Sequence, residues 1–352
     1  MSWISWKGLF AGVIVAAVVG CGGGETPKPS ANGETGSGEA TKLTGAVAID
    51  GSSTVFPVTE AVAEEFNSQV SSDVQVTVGI SGTGGGFKKF IRGEIDVADA
   101  SRPILAEEIA ACKENGIEFI EIPVCFDALT VAVNPANDWV ENITIDELKK
   151  IWEPSAEGKI TKWNQIRPEW PDEKLVLYGA GTDSGTFDYF TEAVNGKAKS
   201  CRSDFIPSED DNTLVQGIVG EKYSMGFIPF AYYEPNKDKM KALKIDWKSD
   251  DELGAIEPSL ETVIGGTYNP LSRPLFIYVS KKAAERPEVK KFVEFYLDNV
   301  AELSQEVKYM PLPDAAYTMA KDRFAALKTG SGFGGVPEVG LKIEELLARE
   351  PK

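Results

Sequence analysis

The sequence predicts an α/β fold with a mostly parallel sheet. Apolar stretches at 46–49, 74–80 and 95–98 each run into a turn of small polar residues and then into a helical pattern. A repeated strand, turn and helix order is typical of parallel sheets covered by helices. The chain has 352 residues, 42% hydrophobic and 26% charged, which fits a soluble globular protein. This length indicates about two domains.

The separate elements follow from their periodicity. Residues 74–80 alternate and are rich in β-branched side chains, as in a strand. Apolar residues recur at 58, 61, 62 and 66 with helical spacing. Further strands are predicted at 117–124, 127–134, 174–178, 225–230 and 275–279, and further helices at 87–94, 143–152, 187–194, 289–299 and 339–347.

Composition excludes several classes of function. The net charge of -18 argues against nucleic acid as a partner, because binding to a phosphate backbone requires a field of Lys and Arg. The sequence contains no histidine, which removes Ser-His-Asp and Cys-His catalysis and the usual zinc sites. We therefore expect no metal, no cofactor and no enzyme activity.

The N-terminus predicts export and lipid anchoring. Lys7 precedes an apolar run over 9–19 that is too short for a transmembrane helix, which needs about 20 apolar residues, and fits a signal peptide. The run ends at Gly20-Cys21 and resembles a bacterial lipobox, so Cys21 is the predicted lipidation site. The alternative is an ordinary secretory signal with an incidental cysteine. Residues 22–44 are rich in Gly, Ser, Thr, Pro and Glu and predict a flexible linker.

Three cysteines remain in the exported part, Cys112, Cys125 and Cys201. Export permits disulfides, so we expect at most one pair and a free thiol, with the pairing left open.

Four turns combine glycine with hydroxyl side chains: DGSST (50–54), SGTGGG (81–86), DASRP (99–103) and GAGTDSGTF (179–187). Each follows a predicted strand and precedes a helical pattern, the position where α/β sheets collect ligands. Unpaired amides and the helix dipole make such a helix start a site for anions. Taken alone, DGSST and DSGTF are also explained as helix caps, SGTGGG as a flexible turn, and DASRP as a turn with Arg102 on the surface. Together they predict an anion-binding cleft.

Two other interpretations of GAGTDSGTF are disfavoured. A nucleotide cradle would show GxxxxGK[ST] or GxGxxG, and neither is present. A hydrolase using Ser184 would need a base, and the chain has no histidine.

The turns, in this order and with DGSSTVFP (50–57), ITIDELKKIWE (143–153) and GKITKWNQI (158–166), resemble the phosphate-binding proteins of bacterial high-affinity phosphate ABC transporters. The similarity extends over nearly all of residues 45–330. It implies a two-lobed type II periplasmic-binding-protein fold, with mixed, mostly parallel sheets and the ligand cleft between the lobes. It implies no catalysis.

The resemblance also implies domains and partners. Lobe I comprises 45–128 and 269–330, lobe II comprises 129–268, and 331–352 is a C-terminal segment, after a signal peptide over 1–21. The expected partners are inorganic phosphate, a membrane-embedded ABC permease and, through the lipid anchor, the extracytoplasmic side of a bacterial membrane. We expect a monomer.

The binding residues carried over by the resemblance come from both lobes. The first lobe supplies Ser53, Thr54, Thr83 and Ser101, and the second supplies Ser184, Gly185 and Thr186.

The sequence departs from the family pattern at two of these positions. Ala180 stands where many members have arginine, and Ser101 stands where many have an acid. We expect Arg102 to supply the cation, since arginine can grip an oxyanion with two donors. We expect Asp183, or else Asp99, to accept the proton of hydrogen phosphate, although Asp183 is also placed to cap the helix. The departures leave another oxyanion, such as molybdate or sulfate, as an alternative ligand.

Overall fold

The structure, a computed structural model, describes residues 43–182, 184–208, 210–247, 253–336, 338 and 341–351. The predicted lipidation site Cys21 and the predicted acceptor Asp183 lie outside these residues. Within them, no helix combines the length and the apolar character needed to cross a bilayer.

The strands carry the following bounds: β1 (Gly45–Gly51), β2 (Val74–Ile80), β3 (Val97–Ala100), β4 (Phe119–Val133), β5 (Asn142–Thr144), β6 (Val176–Ala180), β7 (Ile206–Ser208), β8 (Ser224–Pro229), β9 (Lys241–Ala242), β10 (Lys244–Asp246), β11 (Ser272–Ser280) and β12 (Met310–Pro311).

The helices carry the following bounds: α1 (Phe56–Gln69), α2 (Thr83–Ile91), α3 (Ala106–Glu114), α4 (Ile145–Trp152), α5 (Gly185–Asn195), α6 (Asp211–Gly220), α7 (Phe230–Tyr233), α8 (Leu260–Ile264), α9 (Lys281–Ala284), α10 (Pro287–Glu306), α11 (Asp314–Ala325) and α12 (Ile343–Ala348).

The main sheet has two parallel outer parts joined by an antiparallel centre. Its order is β2-β1-β3-β11-β4-β8-β6-β7, and β9 and β12 also pair with β4. β1 is parallel to β2 and β3, and β6 is parallel to β7 and β8, whereas β11 and β4 run antiparallel to their neighbours. The predicted α/β class is confirmed.

One strand belongs to both parts of the sheet. The strands predicted separately at 117–124 and 127–134 are a single buried strand, β4. Its first part pairs with β11 and its last part with β8. Pro123 lacks an N–H group, and the register of the partner strand shifts between Leu275 and Phe276, directly opposite this proline. The irregularity lets the strand continue past the proline.

Aromatic packing fixes the helices that enter the cleft. On α5, the Phe190 ring stacks on Phe227 of β8 with centroids 3.9 Å apart, and Trp152 lies 5.0 Å from Phe227. All three are buried. Because α5 is held in this way against β8, the position of its first turn is set by the core of the second half.

The cysteines do not pair. Cys112, Cys125 and Cys201 are all free, so the one pair that the sequence allowed at most is not formed among them. Burial raises the pKa of the Cys112 thiol to about 11 and that of Cys201 to about 12, which keeps both thiols protonated near neutral pH.

Candidate functional site

Three predicted turns meet where the parallel strands β1, β2 and β3 end. The Ser52 amide donates to the Asp99 carbonyl over 3.0 Å, and the Ser81 amide donates to the Gly51 carbonyl over 3.0 Å. These bonds join turns that are far apart in sequence. The geometry follows from the sheet, because parallel strands place their carboxyl ends at one edge.

A cleft of about 170 Å³ opens at this edge. Five predicted site residues line it: Ser53, Thr54, Thr83, Ser101 and Arg102. Three charged side chains that the motifs did not identify also line it, namely Asp188, Glu192 and Arg273.

The hydroxyl groups of the first half form a small cluster. Thr83 Oγ1 lies 3.1 Å from Ser101 Oγ and accepts a hydrogen bond of the same length from the Ser101 amide. Thr83 begins α2, and the preceding Gly82 has φ of 73°, a conformation that glycine adopts without strain. The turn thus presents hydroxyl groups beside a helix N-terminus, the arrangement suited to an anion.

The turn of the second half lies against the first. A Cβ atom at Gly185 would lie 3.0 Å from Thr54 Oγ1 and 3.3 Å from Thr54 Cα. Both distances are shorter than an ordinary van der Waals contact, so glycine favours this approach. Ser184 caps α5 by accepting a hydrogen bond from the Thr186 amide over 3.2 Å. Ser184, Gly185 and Thr186 are not among the residues that line the cleft, and they reach the first half through Thr54.

Arg102 lines the cleft with its guanidinium already paired. It donates to Glu108 through Nη1 over 2.9 Å and through Nη2 over 2.8 Å, and Nη1 also donates to the Pro103 carbonyl over 3.1 Å. This two-pronged ion pair has the geometry of a strong charge-assisted contact. A ligand would have to compete with Glu108 for these donors.

Arg273 is the cation that sequence reasoning missed. Its guanidinium lies 3.4 Å from each of Thr54 Oγ1, Asp127 Oδ2 and Glu192 Oε2. All three contacts are longer than those of Arg102, so the donors of Arg273 are held more loosely. The guanidinium also stacks over the Tyr189 ring at 3.7 Å from its centroid.

Strand pairing places Arg273 at the cleft. It stands directly opposite Asp127, and β11 runs antiparallel to β3, so the start of β11 lies at the edge where β3 ends. Burial raises the pKa of Asp127 to about 6, while Arg273 acts to lower it. Arg273 stands two residues before the strand predicted at 275–279, which lies in the range expected for lobe I. This position is the signal by which the sequence could have indicated Arg273.

Asp188 is the acid of α5 that faces the cleft. Burial raises its pKa, and the ammonium of Lys199, 3.8 Å from Oδ1, acts to lower it. Oδ1 is itself buried, and among the described residues none donates a hydrogen bond to it. Asp188 therefore offers a carboxylate oxygen with free acceptor capacity beside the cleft.

Asp99, the other acid considered from the sequence, does not line the cleft. It is 1% exposed, and burial raises its pKa to about 8 against a smaller lowering effect of the Thr59 hydroxyl. The carboxyl group is thus mainly neutral at pH 7 and is not part of the cleft lining.

The buried Asp99 predicts a pH-dependent stability. Its folded pKa of about 8 exceeds the unfolded value near 3.9, so folding takes up a proton, and the stability present at low pH is lost as pH rises from about 4 through 8. Asp99→Asn cannot titrate. As pH rises over this range, the wild type should lose at least about 2 kcal/mol of its free energy of unfolding relative to Asp99→Asn. Urea unfolding at several pH values measures it, and a constant difference would contradict the prediction.

No group of three or more His, Cys, Asp or Glu residues able to hold a metal ion occurs in the part of the chain that the structure describes. The chemistry of the cleft is that of one loosely paired arginine, clustered hydroxyls and one carboxylate, Asp188, whose Oδ1 accepts no hydrogen bond from the described residues.

Comparison with known proteins places this chain in a family. Residues 31–300 match the family described as the PBP superfamily domain. Protein SphX of Synechococcus elongatus is 52% identical over 312 residues, which cover 89% of this chain and 91% of that protein. The phosphate-binding protein PstS of Staphylococcus saprophyticus is 36% identical over 302 residues, covering 85% of this chain and 86% of that protein. The crystal structure of a possible phosphate binding protein from Planctomyces limnophilus has a TM-score of 0.77 and 49% identity, covering 81% of this chain and 99% of that chain. The chain therefore belongs to the PBP superfamily domain family and has the type II periplasmic-binding-protein fold.

Proposed function

We propose that this chain is an extracytoplasmic solute-binding lipoprotein that captures inorganic phosphate and delivers it to an ABC permease. The observation that carries the proposal is the cleft, where Arg273 and the hydroxyls of Thr54, Thr83 and Ser101 converge. Relatives named phosphate-binding proteins support phosphate as the ligand. The predicted lipidation of Cys21 would hold the protein at the membrane, and no catalytic step is part of the proposal.

Arg273 takes the role of main cation in this proposal. Arg102 carries two bonds of 2.8–2.9 Å to Glu108, whereas every polar contact of Arg273 measures 3.4 Å. Displacing long contacts costs less than breaking a short two-pronged pair. Arg102 then adds positive charge at the wall of the cleft, and Glu108 fixes its position.

The hydrogen-bond donors come from both halves. Ser53, Thr54, Thr83 and Ser101 supply hydroxyls from the first half, and the start of α5 at Ser184, Gly185 and Thr186 supplies donors from the second. The approach of Gly185 to Thr54 supports a site that the two lobes complete together.

Asp188 is the acceptor for the proton of hydrogen phosphate in this proposal. Its Oδ1 has acceptor capacity in a buried position beside the cleft. Such a carboxylate stabilises a ligand that carries a proton and repels sulfate, which carries none. Asp183 lies outside the described residues and keeps only the role expected from sequence.

The topology of the sheet supports the proposed division into two lobes. We place lobe I at 45–128 and 269–330 and lobe II at 129–268, because β4 and β11 are the strands that join the two parallel parts. Contacts of Ser331 and Gly332, which donate to the buried Glu121 of β4 over 2.6 and 2.9 Å, support packing of the start of the C-terminal segment against lobe I.

Calorimetric titration of the soluble domain with phosphate, sulfate and molybdate tests the function. We expect tight binding of phosphate and weak binding of the other two. Absence of phosphate binding would refute the proposal, and preference for sulfate or molybdate would favour the second candidate, a receptor for another oxyanion. That candidate is supported by the departures at Ala180 and Ser101. A hydrolase using Ser184 is not proposed, because its hydroxyl caps α5.

Gly185→Ala tests the contact between the two halves. The added methyl group would meet Thr54 at 3.0–3.3 Å and push the start of α5 away from the first turn. Overpacking of this kind costs about 1–3 kcal/mol, so we expect phosphate affinity to fall by roughly tenfold or more. Gly220→Ala is the matched control, because its Cβ would meet nothing within 4 Å. Equal affinities in the two variants would show that the contact does not support binding.

A further inference from the structure

A second cavity of about 230 Å³ adjoins the phosphate cleft and differs from it in character. Its walls are mainly apolar and include Phe126, Tyr189, Val263, Phe333 and Leu341. The first three come from β4, α5 and α8, and the last two come from the C-terminal segment. We call this space the apolar cavity.

The two cavities share one wall. Ser101, Arg102, Glu192 and Arg273 line both of them. Arg273 is the central member, because its guanidinium reaches Thr54 on the cleft side and stacks on Tyr189, a wall of the apolar cavity, at 3.7 Å. An anion held by Arg273 therefore lies next to an apolar space.

We propose that the site also binds organic phosphoryl compounds, namely phosphonates and phosphate monoesters with a small apolar substituent. The phosphoryl group occupies the cleft and the substituent occupies the apolar cavity. This inference rests on the proposed capture of phosphate in the cleft. Its physical basis is complementarity, since inorganic phosphate has no group that an apolar space could stabilise, whereas an amphiphilic anion has one.

The cavity is large enough for such a substituent. An apolar cavity of about 150 Å³ accommodates benzene in another protein, so 230 Å³ suffices for a propyl or phenyl group. The carboxylates near the cavity are already engaged. Glu192 contacts Arg273 at 3.4 Å, and Glu338 receives Arg349 at 2.7 Å.

A series of alkylphosphonates tests the inference on the intact soluble domain. Calorimetry compares methyl-, ethyl- and propylphosphonate at a mildly acidic pH where each keeps one P–OH group, the donor that the proposed acceptor Asp188 requires. Each methylene that leaves water for the cavity should tighten binding by roughly threefold to fourfold. A closed site that fits only inorganic phosphate would bind the longer phosphonates more weakly. Affinity that falls with alkyl chain length would therefore overturn the inference.

A substitution in the cavity separates this inference from the proposed function. Ala193→Phe on α5 narrows the apolar cavity without altering a residue of the cleft. We expect propylphosphonate binding to weaken by at least tenfold and phosphate binding to stay within twofold. Ala110→Phe on the exposed side of α3 is the matched control, and Val263→Phe serves if Ala193→Phe does not fold.

The outcomes are distinct. Equal loss of both ligands in Ala193→Phe would overturn the inference, because the cavity would then serve phosphate entry or folding alone. Wild-type protein that binds phosphate and no phosphonate would also overturn it and leave the proposed function standing. Wild-type protein that binds neither ligand would refute the proposed function itself.

Discussion

Arg273→Gln should lower phosphate affinity by roughly 150-fold. Arg273 is 15% exposed in its side chain and is the loosely paired cation of the cleft. Removing one partner of a buried charged contact costs about 2–5 kcal/mol, and a loss of about 3 kcal/mol corresponds to this factor. Calorimetry with phosphate measures the change directly.

Arg102→Gln is the matched control for this experiment. Its guanidinium is engaged by Glu108, so we expect phosphate affinity to fall by no more than about fivefold through the loss of nearby charge. The reverse ranking of the two variants would return the role of main cation to Arg102, as the sequence alone suggested. A loss of similar size in both would mean that the two arginines grip the ligand together.

Arg273→Gln also changes the protonation of Asp127. Burial already raises the pKa of Asp127 to about 6, and the variant removes the positive charge that acts to lower it. The pKa should rise further, so that the variant becomes less stable relative to the wild type as pH increases above 6. Combining the change with Asp127→Asn should remove this pH dependence and leave the loss of affinity, which separates binding from folding.

The cleft was predictable from sequence to the extent that local turns define it. Thr54, Thr83 and Ser101 follow strands of one parallel set, so the rule that such strands share an edge was enough to bring them together. The arginine was not accessible in this way. Arg273 and Thr54 are 219 positions apart, and their meeting depends on the antiparallel pairing of β11 with both β3 and β4.

The same limit applies to the long central strand. Sequence patterns divided β4 in two at residues 125–126, although strand pairing makes it continuous. Proline is unfavourable in a sheet when considered alone, and the irregularity beside it, where Val124 has no partner residue on β11, appears only when the strand is paired with residues more than 150 positions away. Non-local pairing therefore decided both of these features.

The choice of Asp188 as a candidate acceptor depends on the same kind of non-local information. Asp183 was favoured because it stands within the turn motif, whereas Asp188 stands in the first turn of α5 and reads as an ordinary amphipathic helix residue. Asp188 lies four residues after the cap Ser184, and the turn of the helix brings its side chain to the cleft. Only the orientation of α5, set by Phe190 and Phe227, reveals this.

Asp188→Asn should reduce selectivity for phosphate over sulfate by at least about 100-fold. A site that requires a hydrogen-bond donor on its ligand can reject an analogue without it by roughly 10⁴–10⁵. The asparagine keeps the size of the side chain, replaces the charge that repels sulfate and offers an N–H donor to it. We therefore expect sulfate affinity to rise and phosphate affinity to fall, measured by titration of both anions at one ionic strength.

Glu192→Gln is the control that identifies the acceptor. Glu192 also lines the cleft, but its side chain is 55% exposed and its carboxylate competes for Arg273. Its removal should leave selectivity nearly unchanged and improve phosphate affinity slightly, because Arg273 loses a competing partner. Loss of selectivity in Glu192→Gln with none in Asp188→Asn would move the acceptor one helical turn along α5. If neither variant changed the selectivity for phosphate over sulfate, another group would have to accept the proton of the ligand. A buried carboxylate that faced sulfate could not lose its charge without raising sulfate affinity.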